Sequence, residues 1–316
     1  MPQVPPDREL ALAGIHHISA VTADARANLA FYADVLGLRF VKRSINQDEP
    51  SMYHLYYGDE TGAPGTILTF FEIPGAGPGR AGAGMVHRIL WRIPSAESLD
   101  FWIDRLAAQG VDVSRTESSV LFFDPEGLGH ELVVYRGDEA LLRAEHPEIP
   151  AEHAIAGLHG ARAYVRDLVR SAPLLRGLGF AATGRDDAWQ VGTSDRSAVW
   201  FLDDAPVSRG IPGAGTVHHI AWASPDDQLV AWQARVADLD QQPTPLIDRF
   251  WFESVYFREP SGVLFELATP APGFAIDEPV ESLGSRLVLP PQFEPMRARI
   301  EERLTPLVNP RARVAS

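Results

Sequence analysis

The sequence predicts an α+β protein in which four βαβββ modules form two cupped, mixed-sheet barrels. The first observation behind this is a repeated phrase: Gly82-Ala83-Gly84-Met85-Val86-His87-Arg88-Ile89-Leu90-Trp91 returns as Gly213-Ala214-Gly215-Thr216-Val217-His218-His219-Ile220-Ala221-Trp222. The second is that each copy leads into a helical pattern and then a strand pair, closed by Asp124-Pro125-Glu126-Gly127 or by Glu259-Pro260-Ser261-Gly262. A weaker pair, Gly14-Ile15-His16-His17 and Gly157-Leu158-His159-Gly160, opens two more units. Self-similarity of this kind marks duplicated supersecondary units. The 316 residues leave room for two domains of roughly 150 residues each.

The modules fall at 14–74, 84–137, 157–204 and 215–270. In the first, Ile15–Val21 reads as a short apolar strand. Ala25–Leu36 reads as an amphipathic helix, with Leu29, Tyr32, Ala33 and Leu36 at i, i+3, i+4 and i+7 spacing and Gly37 as its C-cap. Strands with turn residues between them complete each unit. One such unit would leave sheet edges and a concave face bare, so modules must pair. Modules one and two occupy 14–137, and modules three and four occupy 157–270. Residues 271–316 differ: Pro-rich and extended to 295, then one short helix over Pro295–Leu304 with Met296, Ile300 and Leu304 on one side. This arm is expected to pack over a domain or a neighbouring subunit, which leaves a homo-oligomer open.

Composition removes several function classes. With 45% hydrophobic and 22% charged residues and no apolar run near the roughly 18 residues of a membrane span, the chain reads as an ordinary globular protein without a membrane partner. A formal charge of −14 repels polyanions and disfavours nucleic acid. There is no cysteine, so disulfides, thiolate metal sites and thiol nucleophiles are excluded together. Any metal must be held by His and carboxylates. Met1–Ala13 lacks the pattern of a signal peptide, and a cytoplasmic location is the expectation.

Histidine is scarce, ten in all, yet it forms adjacent pairs at equivalent places, His16-His17 and His218-His219, on the opening strands of modules one and four. A single strand histidine is ordinary core, whereas two at matching repeat positions point to ligands. Alternation along a strand puts neighbours on opposite faces, so at most one of each pair should point straight into the cup. The third element comes from a hairpin count. Pro260-Ser261-Gly262 fits a three-residue loop ending in a left-handed Gly and a bulge, which pairs Glu259 with Val263 and therefore Tyr256 with Glu266. Glu266 lies in an apolar strand, where an inward carboxylate has to be paired or metal-bound; the alternative is a solvated outer face. Two histidines and one carboxylate make the facial triad of non-haem Fe(II) centres.

The repeat acts as an internal control. The position of His17 and His219 becomes Arg88 in module two and Gly160 in module three. Only modules one and four supply histidines there, so the two ends of the chain must meet. Thr69 of module one falls in the slot of Glu266, a poor fourth ligand. The cup of modules two and three keeps Glu131 without the histidines and is expected to be structural and metal-free.

These repeats, with Gly14-Ile15-His16-His17-Ile18-Ser19, Val217-His218-His219-Ile220-Ala221, Phe265-Glu266-Leu267 and Leu289-Pro290-Pro291-Gln292-Phe293-Glu294, resemble the ring-cleaving dioxygenases of the vicinal oxygen chelate (glyoxalase/bleomycin resistance/dioxygenase) superfamily. The resemblance covers nearly the whole chain, and it is narrower toward the hydroquinone 1,2-dioxygenase branch, which opens para-diols and chlorinated hydroquinones. It implies the vicinal oxygen chelate fold, Fe(II) or alternatively Mn(II) on His17, His219 and Glu266, and a small aromatic substrate with O2. It also implies catalytic roles around the substrate for His16, His218, Arg249 and Tyr256. Ser19 stands where the branch often has Thr, and Gly160 stands where catechol 2,3-dioxygenases keep a ligand histidine, which sets that branch aside.

Strand parity separates Arg249 from Tyr256, so Arg249 reaches the site only through a bulge or loop; otherwise it pairs with Asp248 or Glu253 at the surface. Phe250, Trp251, Phe252 and Phe257 are candidates to wall an aromatic pocket, or plain core. Two rival functions stay open. A glyoxalase-like lyase or isomerase would use Zn, Ni or Co, but such sites usually need a fourth protein ligand where Thr69 stands. A metal-free binding protein for an aromatic molecule would not need two histidines and an inward Glu.

Overall fold

The structure is a computed structural model that describes residues 10–311. Residues 1–9 and 312–316, and with them parts of the N-terminal segment and of the arm read from the sequence, lie outside the described residues. Module one runs β1 (Ile15–Thr22), α1 (Ala25–Leu29), β2 (Arg39–Ile45), β3 (Tyr53–Gly58) and β4 (Ile67–Glu72). Module two runs β5 (Met85–Ile93), α2 (Glu97–Ala108), β6 (Val113–Arg115), β7 (Ser119–Phe123) and β8 (Gly129–Val134). Module three runs β9 (Leu158–Val165), α3 (Ala172–Gly177), β10 (Ala181–Ala182), β11 (Ala188–Gly192) and β12 (Ser197–Asp204). Module four runs β13 (Thr216–Ala223), α4 (Leu229–Asp238), β14 (Ile247–Asp248), β15 (Glu253–Arg258) and β16 (Leu264–Ala268).

The strands form two eight-stranded mixed sheets, ordered β14-β15-β16-β13-β1-β4-β3-β2 and β10-β11-β12-β9-β5-β8-β7-β6. At the centre of each sheet two module-opening strands meet antiparallel, β1 with β13 and β5 with β9. Module one therefore shares a sheet with module four, and module two with module three, and each union covers an edge that one unit would leave bare. The linkers after β4 and after β12 cross each other, with bridges between Pro78 and Ala214 and between Arg80 and Ile211. Gly82 permits the closest approach, since a Cβ there would lie 2.3 Å from the Gly210 nitrogen.

One apolar core fills the faces away from the cups. It joins Trp91, Trp200 and Trp222 to Leu99, Trp102 and Leu106 of α2 and to Leu229, Trp232 and Val236 of α4. The helix expected over 25–36 is only half α. Residues Ala30–Val35 are π-helical, with Leu36 N–H donating to the Phe31 carbonyl at 3.0 Å, and Gly37 at φ +72° ends the run. The wider turn buries Phe31, Tyr32 and Ala33 together. It also takes the Tyr32 hydroxyl into module two, 2.8 Å from Asp124 and 2.9 Å from His130 Nε2. Trp91 Nε1, which can only donate, is 3.0 Å from His130 Nδ1, so His130 carries its proton on Nε2 and donates to Tyr32, which donates to Asp124. Every group in this buried staple is satisfied.

The arm packs on its own chain and is less extended than its proline content suggests. It makes 3-10 turns at Phe274–Ile276, Val280–Ser282 and Pro291–Met296 before α5 (Arg297–Glu301). Ile300 and Leu304 are buried as expected, but Met296 is 41% exposed, because the preceding 3-10 turn carries it out of phase with α5. Phe274, Leu283 and Val288 of the arm form a second apolar cluster with Val41, Tyr56, Trp251 and Phe252 beside the cup of modules one and four. The fully buried Lys42 ties this together, with Nζ 2.6 Å from Asp277, 2.6 Å from Glu278 and 3.0 Å from the Phe274 carbonyl. Asp277 also accepts from Trp251 Nε1 at 2.9 Å. Among the described residues no helix is long and apolar enough to cross a membrane.

Candidate metal centre

His17 on β1, His219 on β13 and Glu266 on β16 converge in the cup of modules one and four, with ligand atoms within 4.8 Å of one another and all three residues buried. His17 Nε2 lies 3.2 Å from Glu266 Oε2 and 3.2 Å from His219 Nε2, and His219 Nε2 lies 2.9 Å from the same carboxylate oxygen. β1 beside β13, and β13 parallel to β16, bring the three together across more than two hundred residues of chain.

Strand alternation does not hold at the histidine pairs. The β1–β13 register shifts between Ile15 and His17 and again between Ser19 and Ala20, opposite His219 and Val217, so His16 and His218 are unpaired residues at β-bulges. A bulge turns a side chain out of its alternating phase. Both extra rings lie beside their neighbours, His16 Nδ1 at 2.9 Å from His17 Nδ1 and His218 Nδ1 at 2.7 Å from His219 Nδ1.

This geometry sets the tautomers on the module-one side. His16 Nε2 is 3.0 Å from the Thr269 carbonyl, which can only accept, so that nitrogen carries a proton. Burial pushes the His16 pKa down to about 3, so the ring is neutral and its Nδ1 is an acceptor. His17 then donates from Nδ1, so in the neutral ring the lone pair sits on Nε2, the nitrogen that faces Glu266. Glu266 presents a matching atom: Oε1 accepts from the Ser254 hydroxyl, while the buried Oε2 has no hydrogen bond. Burial raises the Glu266 carboxyl, but the two adjoining imidazoles outweigh it and hold the pKa well below the usual carboxylate range. Two imidazole nitrogens and one carboxylate oxygen, all buried, thus converge as a nitrogen and oxygen donor set that suits a divalent cation.

A pocket opens over the three, lined by His17, His54, Tyr56, Phe71, His218, His219, Phe252 and Tyr256, with Asn46, Gln47, Asp48 and Arg249 at its mouth. Of the residues expected around the substrate, His218, Arg249 and Tyr256 line it, and Tyr256 pairs with Glu266 across β15 and β16. Arg249 arrives by a loop, since β14 ends at Asp248, and it pairs with Asp48 at 3.3 Å rather than with Asp248 or Glu253. His16 does not line the pocket. Its bulge sets it behind His17, where it borders a separate small cavity with Trp251, Phe252 and Phe274. Of the aromatic run, Phe252 walls the pocket, Trp251 lies beneath it with Phe250 packed on that cluster, and Phe257 is plain core.

Sequence reading missed His54, Tyr56 and Asp48. Tyr56 pairs with Thr69 on β3 and β4 as Tyr256 pairs with Glu266, so extending the repeat comparison back one strand would have found it. Thr69 stays out of the ligand set: its Oγ1 is 2.7 Å from Ser19 Oγ and 2.9 Å from His54 Nε2. His54 Nδ1 is in turn 2.7 Å from the Tyr56 hydroxyl. In the other cup, Arg88 at the histidine position pairs with Glu131 at 3.3 Å.

Two mixed cups of duplicated βαβββ modules, with two histidines and a carboxylate converging in one of them, define a class of metal-site proteins. The chain belongs to the glyoxalase/bleomycin resistance protein/dioxygenase superfamily, whose family model matches residues 14–132. Within it, the chain is 38% identical to the Bacillus subtilis (strain 168) protein named "Putative ring-cleaving dioxygenase MhqA", over 93% of this chain and 98% of that one. It is 31% identical to the chlorohydroquinone/hydroquinone 1,2-dioxygenase of Sphingobium indicum, over 89% and 92% of the two chains. A crystal structure described as a putative dioxygenase from Bacillus subtilis superposes with a TM-score of 0.87 at 40% identity, covering 95% of this chain and 98% of that chain.

Proposed function

We propose that this chain is an Fe(II)-dependent, alternatively Mn(II)-dependent, dioxygenase that opens the ring of a hydroquinone. The observation that carries this is the triad itself: His17, His219 and Glu266 bring three ligand atoms together, a pocket opens beside them, and the Thr69 hydroxyl is engaged by Ser19 and His54. The hydroquinone class comes from the names of the relatives and from the aromatic walls of the pocket. An ion bound here would supply Lewis acidity toward the phenol and coordination positions left open to substrate and O2.

The chain's own groups do the rest. His16 and His218 orient the two ligand imidazoles through their Nδ1 contacts. Tyr256 keeps its proton, because burial and the Glu266 carboxylate raise its pKa, and so it can donate to a substrate oxygen held beside Glu266. Arg249 Nε, 3.3 Å from the Tyr256 hydroxyl, places positive charge next to developing anion. Phe71 and Phe252 flank the ring and exclude water. Both oxygen atoms of O2 end in the product, so the reaction draws on no external reductant. The glyoxalase-like alternative fits less well, because the Thr69 hydroxyl is already engaged by Ser19 and His54.

The test is oxygen uptake by protein reconstituted anaerobically with Fe(II) or Mn(II), against a small panel of hydroquinones and catechols. One O2 consumed per ring opened supports the reading; no uptake with any diol ends it.

A further inference from the structure

The pocket mouth is framed by two loops from opposite ends of the chain, the β2–β3 loop carrying Asn46, Gln47 and Asp48 and the β14–β15 loop carrying Arg249 and Phe252. They meet at Arg249. Its carbonyl accepts from Gln47 Nε2 at 2.8 Å, its Nη1 lies 3.3 Å from both Asp48 carboxylate oxygens, and its Nε lies 3.3 Å from the Tyr256 hydroxyl. Phe250, at φ +73°, holds the second loop in a left-handed bend.

Among the described residues lining the pocket, Arg249 is the single Lys or Arg. The charge of a metal ion would already be met by Glu266 and by the substrate oxygen it binds. The single guanidinium of the pocket lining is thus already paired with Asp48, on a protein that is strongly negative overall.

We propose that Asp48 is a specificity-determining residue that, by pairing with Arg249, restricts the pocket to diol rings without a ring carboxylate. This rests on the ring-cleavage reading above. A carboxylated para-diol must give up hydration, meets no free cation, and stands next to a second carboxylate; discrimination by such a repulsive element needs no contact with the accepted substrate. With the Asp48 charge removed, the Arg249 fork becomes available for a bidentate pair with a substrate carboxylate. The Asp48 side chain is 76% exposed, so replacing it leaves the core untouched.

The experiment compares kcat/KM for hydroquinone and for 2,5-dihydroxybenzoate in Fe(II)-reconstituted full-length protein, by oxygen uptake, for wild type, Asp48→Asn and Asp48→Glu. Wild type prefers hydroquinone; Asp48→Asn moves the ratio at least tenfold toward the carboxylated compound, mainly through its KM, and Asp48→Glu restores the wild-type preference. An unchanged ratio in Asp48→Asn overturns the proposal. Calorimetric binding of the same two compounds to anaerobic Zn(II)-loaded protein keeps the two ideas apart. If no diol consumes oxygen, ring cleavage fails, while a shifted binding ratio still upholds Asp48 as the selector and an unshifted one rejects it.

Discussion

His16 Nε2 lies 3.0 Å from the carbonyl oxygen of Thr269, just past the end of β16, and through His16 the backbone of module four orients the His17 ring in module one, whose Nε2 faces Glu266. Outer partners of ligand histidines typically matter 10–100-fold for metal affinity. His16→Phe, which keeps an aromatic ring but has no acceptor for His17, is expected to weaken Fe(II) or Mn(II) retention by roughly that factor. Metal content after dialysis against graded chelator measures it, and retention equal to wild type would show that His16 is only packing.

Metal loading is also expected to be visible as stability. A ligand present at about 100 times its dissociation constant stabilises by about 2.7 kcal/mol, worth about 4 °C in Tm for a chain of this size. Adding Fe(II) or Mn(II) to stripped wild type should raise Tm accordingly, while Glu266→Gln, with its charge gone from the buried Oε2 position, should show no rise. Equal rises in both proteins would place the ion elsewhere.

Lys42 is expected to govern whether the arm stays closed on the cup. Removing one partner from a buried charge cluster leaves the other charges uncompensated and costs about 3–5 kcal/mol. Lys42→Met strands Asp277 and Glu278, loosens Trp251 and should expose the segment after residue 270 to limited proteolysis. Adding Asp277→Asn and Glu278→Gln in the same chain should recover part of the Tm. A Lys42→Met protein as resistant and as stable as wild type would show that the apolar cluster alone holds the arm.

The staple between modules one and two predicts a pH dependence away from the metal. Burial lowers the His130 pKa to about 3 in the folded chain, so its contribution to stability is present above the unfolded value near 6.5 and is lost as pH falls toward 3. Asp124 runs the other way: burial raises it to about 6, so its contribution is present below about 4 and lost as pH rises through 6. His130→Gln removes the first effect and leaves the second. The drop in Tm between pH 7 and pH 4.5 should therefore be smaller in the variant, even though the variant is less stable at pH 7; identical drops would count against the assignment.

Much of the fold was legible because its signals are local. The Pro260-Ser261-Gly262 turn and its left-handed Gly262, at φ +108°, determine the hairpin count that sets Tyr256 opposite Glu266. The repeated glycine phrases mark the openings of β5 and β13, and the lone histidine pairs lead to β1 and β13 as partners. Other features were illegible because they depend on a distant strand or loop. Alternation misplaces His16 and His218, since a bulge arises from the register between β1 and β13 and not from either strand alone. The π-helical half of the first helix sets the Tyr32 hydroxyl against Asp124 and His130, partners in another module that no local pattern reveals.

The sequence by itself determined the module count, the pairing of first with last, and the supply of His and carboxylate as the strong metal ligands in a chain without cysteine. Only the tertiary structure decided which ligand atoms face one another and what guards the pocket. Periodicity and turn chemistry are properties of neighbouring residues, whereas the tautomer of His17 depends on Thr269, and the charge on offer at the mouth depends on Asp48 meeting Arg249 from the other end of the chain.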